Sequence, residues 1–203
     1  MTTPTPGRGL DTRARRGRPR SEAARRAILS AAERLFREGG FGAVSVDAIA
    51  AAAGVSKATV YRWWPNKAAV LLESVVGRMR PLADYRDAPT LREKFRRQLA
   101  DTARYLTTAE GAPVIALIAA KQGDPQLARE FAERYAIPRR ARLRAMVTEG
   151  VRRGELRPVK DIDALIDMIY GPIYYRILVT GRPVDDAFVD TVVDSAFERI
   201  ERR

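Results

Sequence analysis

Between Gly54 and Leu71 the chain reads GVSKATVYRWWPNKAAVL. Lys57, Thr59, Tyr61, Arg62 and Lys67 set ammonium, guanidinium and hydroxyl donors around two adjacent indoles, Trp63 and Trp64. Donors of these kinds reach phosphate oxygens and base edges, which a DNA-reading surface must contact together. Other chemistry is poorly supplied. The chain has no Cys and no His, which removes disulfides, thiol nucleophiles, imidazole acid–base catalysis and nearly all zinc or haem ligation. Catalysis would then fall to carboxylates, Lys or Tyr, and no convergent pair of these stands out. Asp161, Asp163 and Asp167 read as partners of a helix N-terminal dipole, not as metal ligands. The expectation is no enzyme, no cofactor and no metal.

The elements that must position these donors are short helices. Ser45 before VDAIAAAA predicts an N-cap, with Asp47 favourable in the first turn and Gly54 supplying a left-handed stop. Ser56 predicts a third helix running through Trp64, ended by Pro65, and Asn66 caps a fourth running to about Arg80. On a helical wheel Trp63 and Trp64 straddle Val60 behind the third helix, while Ala58, Thr59, Tyr61 and Arg62 point outward and Lys57 lies near the first turn. Ala50 and Ala53 are small enough for two helices to cross closely, with Ile49, Val55 and Val60 inward. Small residue, turn Gly, then buried Val is the arithmetic of a helix-turn-helix. Lys67 opposes its own helix dipole unless a phosphate lies across that N-terminus. The DNA-facing set is therefore Ser45, Ser56, Lys57, Ala58, Thr59, Tyr61, Arg62, Trp63 and Lys67. Tyr61 and Lys67 suit phosphates, Thr59 and Arg62 base edges. Trp64 reads as core, given the surface an indole must bury, and Lys57 reads equally as a solvated side chain.

Charge follows the same geography. Net charge is +12 over 203 residues. Residues 1–80 hold 15 Lys/Arg against 6 Asp/Glu and the rest 22 against 19, so one short segment carries most of the positive field, as on a nucleic-acid footprint. Residues 1–20 hold six Arg and little to bury, which predicts a disordered basic arm. Within it RGRPR resembles the AT-hook core: Arg16, Arg18 and Arg20 would lie extended in a narrow minor groove, with Gly17 leaving room for its floor. A basic tail without sequence preference fits the same residues.

From Ser21 the pattern turns helical. Ala24, Ile28, Ala31, Ala32, Leu35 and Phe36 share a face, with Ser21 as cap and Gly39-Gly40 as stop. Further helices are predicted near 90–107, 113–122, 125–153, 161–180 and 185–201, with Pro138 and Pro172 kinking or breaking theirs. No strand alternation and no internal repeat is found. The fold class is all-α: a basic arm over 1–20, a helix-turn-helix domain over 21–67 and a larger helical domain over 68–203. The longest apolar run, residues 112–120, is short of the ~20 needed to span a bilayer, and the Arg-rich start lacks the apolar segment of a secretory signal. A cytoplasmic protein is expected.

Residues 21–72 resemble the DNA-binding domain of the TetR family of bacterial transcriptional regulators. The resemblance rests on AAERLFREGGFGAVSVDAIAAAAGVSKATVYRWWPNKAAVLL, especially Gly39, Phe41, Ile49, Ala50, Gly54, Val55, Ser56, Thr59, Tyr61, Trp64, Lys67 and Leu71. Position 64 is more often Phe in that family. RRGEL at 152–156 and DMIYGPIYYRILVTGRP at 167–183 resemble one of its C-terminal types. The resemblance implies a linking helix into a ligand-binding domain, and a homodimer formed by the last two helices. The width of the apolar faces there agrees: Ile166, Ile169, Ile173 and Ile177 on one, and Phe188, Val192, Val193, Ala196, Phe197 and Ile200 on the other. Burial under helices of the same chain would give the same pattern. Candidate walls of an effector cavity are Leu99, Leu117, Ile118, Met146 and Met168, for a small apolar or cationic molecule. The function implied is a ligand-responsive repressor on a palindromic operator. The rival is an architectural DNA binder indifferent to sequence.

Overall fold

The computed structural model describes residues 18–77, 85 and 87–201. Among them the chain is helical throughout, and the only pairing of extended backbone is an isolated bridge between Leu156 and Glu201.

The N-terminal part consists of α1 (Arg18–Ala43), α2 (Val46–Ala53), α3 (Lys57–Tyr61) and α4 (Lys67–Val76). Helix α1 packs on α2 and α4, and α2 on α3. Ile28, Ala32, Phe36, Val44, Ile49, Val60, Trp64 and Leu71 form their shared core. Each expected face is present, but boundaries move. Helix α1 starts at Arg18, ahead of the Ser21 expected to cap it. Proline is well tolerated in a first turn, where its missing N–H would be unsatisfied anyway, so Pro19 opens the helix. Arg18 and Arg20 thus stand on helical backbone and not in an extended hook, while Arg16 and the rest of the arm lie outside the described residues. Gly40 is the break near the end of α1, at φ 67 and ψ −168. Helix α3 is shorter than expected: Arg62 and Trp63 form a turn, and Trp64 is already out of the helix.

Helix α4 carries the chain into the body by packing on α6 (Ala112–Ala120) and α7 (Pro125–Phe131) as well as on α1. Its expected extension toward Arg80 falls outside the described residues. The body adds α5 (Leu91–Leu106), α8 (Ile137–Arg152), α9 (Ile162–Tyr175) and α10 (Asp186–Phe197). Helices α5 and α10 pack together through Phe95 and Phe197, whose rings are 5.6 Å apart.

Neither internal proline breaks its helix. Pro138 cannot donate to the Arg134 carbonyl and its ring would press on it. The chain widens into a π turn over Ala132–Ala136 just before it and continues as α8. Pro172 is carried within α9, and the irregularity comes later, in a π turn over Arg176–Thr180 closed by Gly181 at φ 64. Helix α10 ends at Phe197, so Ile200 lies in the turn beyond it.

The residues expected at a dimer interface are mostly interior to this one chain. Ile166, Ile169, Ile173, Val192, Val193 and Phe197 are buried in its core, and Ile177, Phe188, Ala196 and Ile200 are half-buried against that core. The wide apolar faces of α9 and α10 pack on α5, on α8 and on each other within the one chain.

Candidate nucleic-acid interface

The turn between α2 and α3 is fixed by local chemistry. Ser45 Oγ accepts from the Ala48 N–H at 3.0 Å and opens α2. Gly54, at φ 65 and ψ 35, closes it. The Val55 N–H reaches back to the Ala50 carbonyl and the Gly54 N–H to that of Ala51, the paired bonds of a Schellman motif. Ser56 Oγ then accepts from the Thr59 N–H at 3.2 Å and lies 2.9 Å from Thr59 Oγ1.

On α3 the sides separate as the wheel requires. Val60 is fully buried, while Lys57, Ala58, Tyr61 and Arg62 are exposed. Tyr61 is 55% accessible. Thr59 is half-buried beside Ser56, so of the two expected base readers Arg62 is the freer. The two indoles differ from expectation. Trp64 alone sits behind the helix, 2% exposed, whereas Trp63 is 37% exposed on the surface. Ending α3 early turns Trp63 away from Val60.

Sequence reasoning missed what holds this face. Trp64 Nε1 donates to Glu73 Oε2 of α4 at 2.7 Å. The other oxygen of Glu73 takes the guanidinium of Arg25 from α1, which also lies 5.9 Å from the Trp63 ring. Three elements thus meet at one carboxylate. No local pattern pairs positions 25, 64 and 73. Lys57 is also engaged, by an ion pair to Asp47 in the first turn of α2.

The start of α4 has a second function-bearing arrangement. Asn66 Oδ1 accepts from the Ala69 N–H at 2.8 Å, while its Nδ2 donates to Glu130 Oε1 at 2.7 Å. Burial alone would raise the Glu130 carboxyl, but hydrogen bonds from Asn66 and Arg134 outweigh it and hold the group below its ordinary value. Lys67 is half-buried with its ammonium 4.2 Å from the centre of the Phe41 ring. An ammonium beside free helix N–H groups is a suitable seat for a phosphate.

The body contains a cavity of about 360 Å³ lined by residues of α6, α7, the π turn, α8 and α9. Of the five expected wall residues only Ile118 reaches it. Leu99 and Leu117 are fully buried core, Met146 lines a separate surface cleft near Leu91, and Met168 is 59% exposed. Among the described residues no cluster of carboxylates could hold a metal, and no helix is long and apolar enough to cross a membrane.

Two crossed helices joined at a left-handed glycine, the second showing donors outward from a buried back, define a helix-turn-helix DNA-binding protein. Residues 28–74 match the profile of bacterial regulatory proteins of the tetR family, and 85–196 that of the tetracyclin repressor-like C-terminal domain. An uncharacterized HTH-type transcriptional regulator of Bacillus subtilis, YdeS, is 43% identical over 187 residues, covering 92% of this chain and 94% of that protein. The DNA-binding transcriptional repressor TetR of Mycobacteroides abscessus is 30% identical over 86% of this chain and 92% of its own. The crystal structure of the TetR family transcription regulator SCO0332 superposes with a TM-score of 0.68 at 30% identity, over 86% of this chain and 97% of that one. The chain belongs to the TetR family of transcriptional regulators; the families and relatives it matches are regulators, not enzymes.

Proposed function

We propose that the chain is a ligand-responsive repressor that binds a two-fold symmetric operator as a homodimer in the cytoplasm. The observation that carries this is the exposed donor face of α3, fixed from behind by the Trp64–Glu73–Arg25 cluster. Arg62 reads base edges, with Thr59 at the margin. Tyr61, Lys67 and the first N–H groups of α4 hold phosphates, and Ser45, Ser56, Lys57, Ala58 and Trp63 border the groove. Residues 21–67 form the reading head and 68–203 the body, with the arm ahead of α1 supplying further phosphate contacts.

The surface that supports dimerisation is not the buried stripe but its opposite face. Ala164, Met168, Gly171 and Tyr175 are exposed at helical spacing on α9, and Leu178 and Val179 continue the apolar surface. Tyr175 is 59% and Val179 66% accessible. Pairing these faces about a two-fold axis places one α3 on each half-site, about one helical turn apart. An effector in the cavity acts by binding more tightly to a conformer whose two heads no longer fit successive grooves.

The test is affinity at one fixed salt concentration for a duplex selected from a random pool and for an unselected duplex. A repressor shows a gap of roughly 10³-fold or more, and Lys67→Ala weakens both alike while lowering the salt slope by about one. Equal affinity for the two duplexes returns the chain to the architectural class.

A further inference from the structure

The charges around the cavity do not balance. Arg139, Arg140 and Asp167 are its charged lining residues. Arg140 is neutralised by Asp163 at 2.8 Å and Asp167 at 2.7 Å, and Arg144 shares Asp163. Two guanidiniums thus face two carboxylates. Arg139 is left over. Among the described residues it has no carboxylate partner; it donates to Thr102 Oγ1 at 3.2 Å and lies over the rings of Tyr135 and Tyr170, at 5.9 and 5.2 Å.

Two more polar atoms near it are poorly satisfied. Gln98 Nε2 is sealed from solvent without a hydrogen bond, and the buried Tyr135 hydroxyl has only the neighbouring Tyr174 phenol beside it, with no well-formed bond. Gln98 is 3% exposed, and its Oε1 already accepts from the Tyr170 hydroxyl at 2.6 Å. Buried polar groups without partners are rare, and these two, one on the cavity wall and one bonded to the wall residue Tyr170, point to a missing acceptor. Burial holds the Tyr135, Tyr170 and Tyr174 phenols above their ordinary value, so they remain neutral hydroxyls and add no negative charge.

The rest of the lining is aliphatic and aromatic, with Ile118, Leu143 and Ile166 beside four rings. Phe131, Tyr135, Tyr170 and Tyr174 supply four rings, the first two 5.1 Å apart and tilted by 58°. Such walls favour a flat guest, which can stack offset or meet them edge-on. A volume of about 360 Å³ suits a molecule of one or two rings.

We infer that this cavity takes a planar aromatic carboxylate, its ring among the four aromatic walls and its anion on Arg139. This rests on the reading of the body as an effector domain and names the class of effector. A carboxylate supplies the missing charge and accepts from a guanidinium already placed near two tyrosine rings. A neutral guest leaves that cation without a counter-charge. A cationic guest meets Arg139 directly and must draw Asp167 from Arg140, so the cationic effector expected from the resemblance is the disfavoured one.

The experiment is calorimetric titration of the full chain with 2-naphthoate, 2-naphthamide, 2-naphthamidine and decanoate. Naphthoate is expected to bind at least about tenfold more tightly than the amide, the scale of one charge-assisted hydrogen bond, and more tightly than the other two. Arg139→Gln removes the preference for acid over amide, and Arg139→Lys keeps part of it. Should Arg139→Gln fail to fold, the acid–amide comparison on the unaltered chain still decides. Equal binding of amide or amidine, tighter binding of decanoate, an acid preference that survives Arg139→Gln, or no binding of naphthoate overturns the inference. Operator release measured in parallel separates the two readings. An Arg139-dependent acid preference without release upholds the ligand class and removes ligand-responsiveness.

Discussion

In the reading head three successive helices start on a side-chain oxygen, from Ser45, Ser56 and Asn66, and the turn between two of them is closed by a full set of backbone bonds. In the body α5, α7, α9 and α10 also start on side-chain caps, from Thr90, Asp124, Asp161 and Asp185. Yet its middle is irregular. Helix α6 begins without a side-chain cap, one π turn joins α7 to α8 and a second ends α9, and a cavity remains among them. The contrast follows from what each part must do. A reading face has to be held in one place relative to a groove. A domain that answers to a ligand has to keep a space open and have more than one packing within reach.

If the head owes its rigidity to the cluster behind α3, Trp64→Ala is the most damaging change in it. The substitution removes a fully buried indole and its bond to Glu73, at a cost of about 3–5 kcal/mol. Urea denaturation is expected to show the head lost, and operator binding with it. Trp64→Phe keeps most of the packing and loses the N–H, and should lie well under half that cost. A Trp64→Ala protein of unchanged stability would mean that the core of the head lies elsewhere.

Gly54→Val comes next. An added Cβ at Gly54 meets nothing within 4 Å, so the cost is backbone strain alone, about 1–2 kcal/mol for a left-handed residue with a side chain. A fall of a few degrees in melting temperature is expected, with weaker DNA binding because the α2–α3 angle relaxes. Unchanged melting and binding together would show that the turn is not set at Gly54.

These two positions also mark what could be read in advance. The caps and Gly54 act over three to five residues, and the sequence displays such distances directly. Hence Ser45, Gly54, Ser56 and Asn66 all stand in their expected places. The exposed face of α3 was legible for the same reason. Contacts between distant positions were not: Arg25 to Glu73, Asn66 to Glu130 and Arg140 to Asp163 have no local signature. The apolar stripes of α9 and α10 were visible, but periodicity reports only that a face is covered, not what covers it. The effector walls failed in the same manner. Apolar types were expected there, and the cavity has them in Ile118, Phe131, Leu143 and Ile166, but it adds three Tyr and two Arg, which read locally as surface residues.

The smallest effect concerns the place where the two regions join. Glu130 ends on the same stretch of chain as Phe131 and Tyr135, which line the cavity, and its carboxylate holds Asn66, which caps α4 at the edge of the reading face. Any shift of the π turn on ligand entry therefore pulls on a residue of the head without an intervening side chain. Asn66→Ala should cost about 1 kcal/mol for the cap alone, and Glu130→Ala about as much for the charge-assisted bond, discounted for its partial exposure. Because the two side chains share one hydrogen bond, their effects overlap. The double variant is expected to be less damaged than the sum of the singles by about 0.5–1 kcal/mol, measured by denaturation of all four proteins. Strict additivity would leave head and body joined by the packing of α1 on α6 and of α4 on α6 and α7. A signal from the cavity would then have to move α1 or α4 as a whole rather than the capped end of α4.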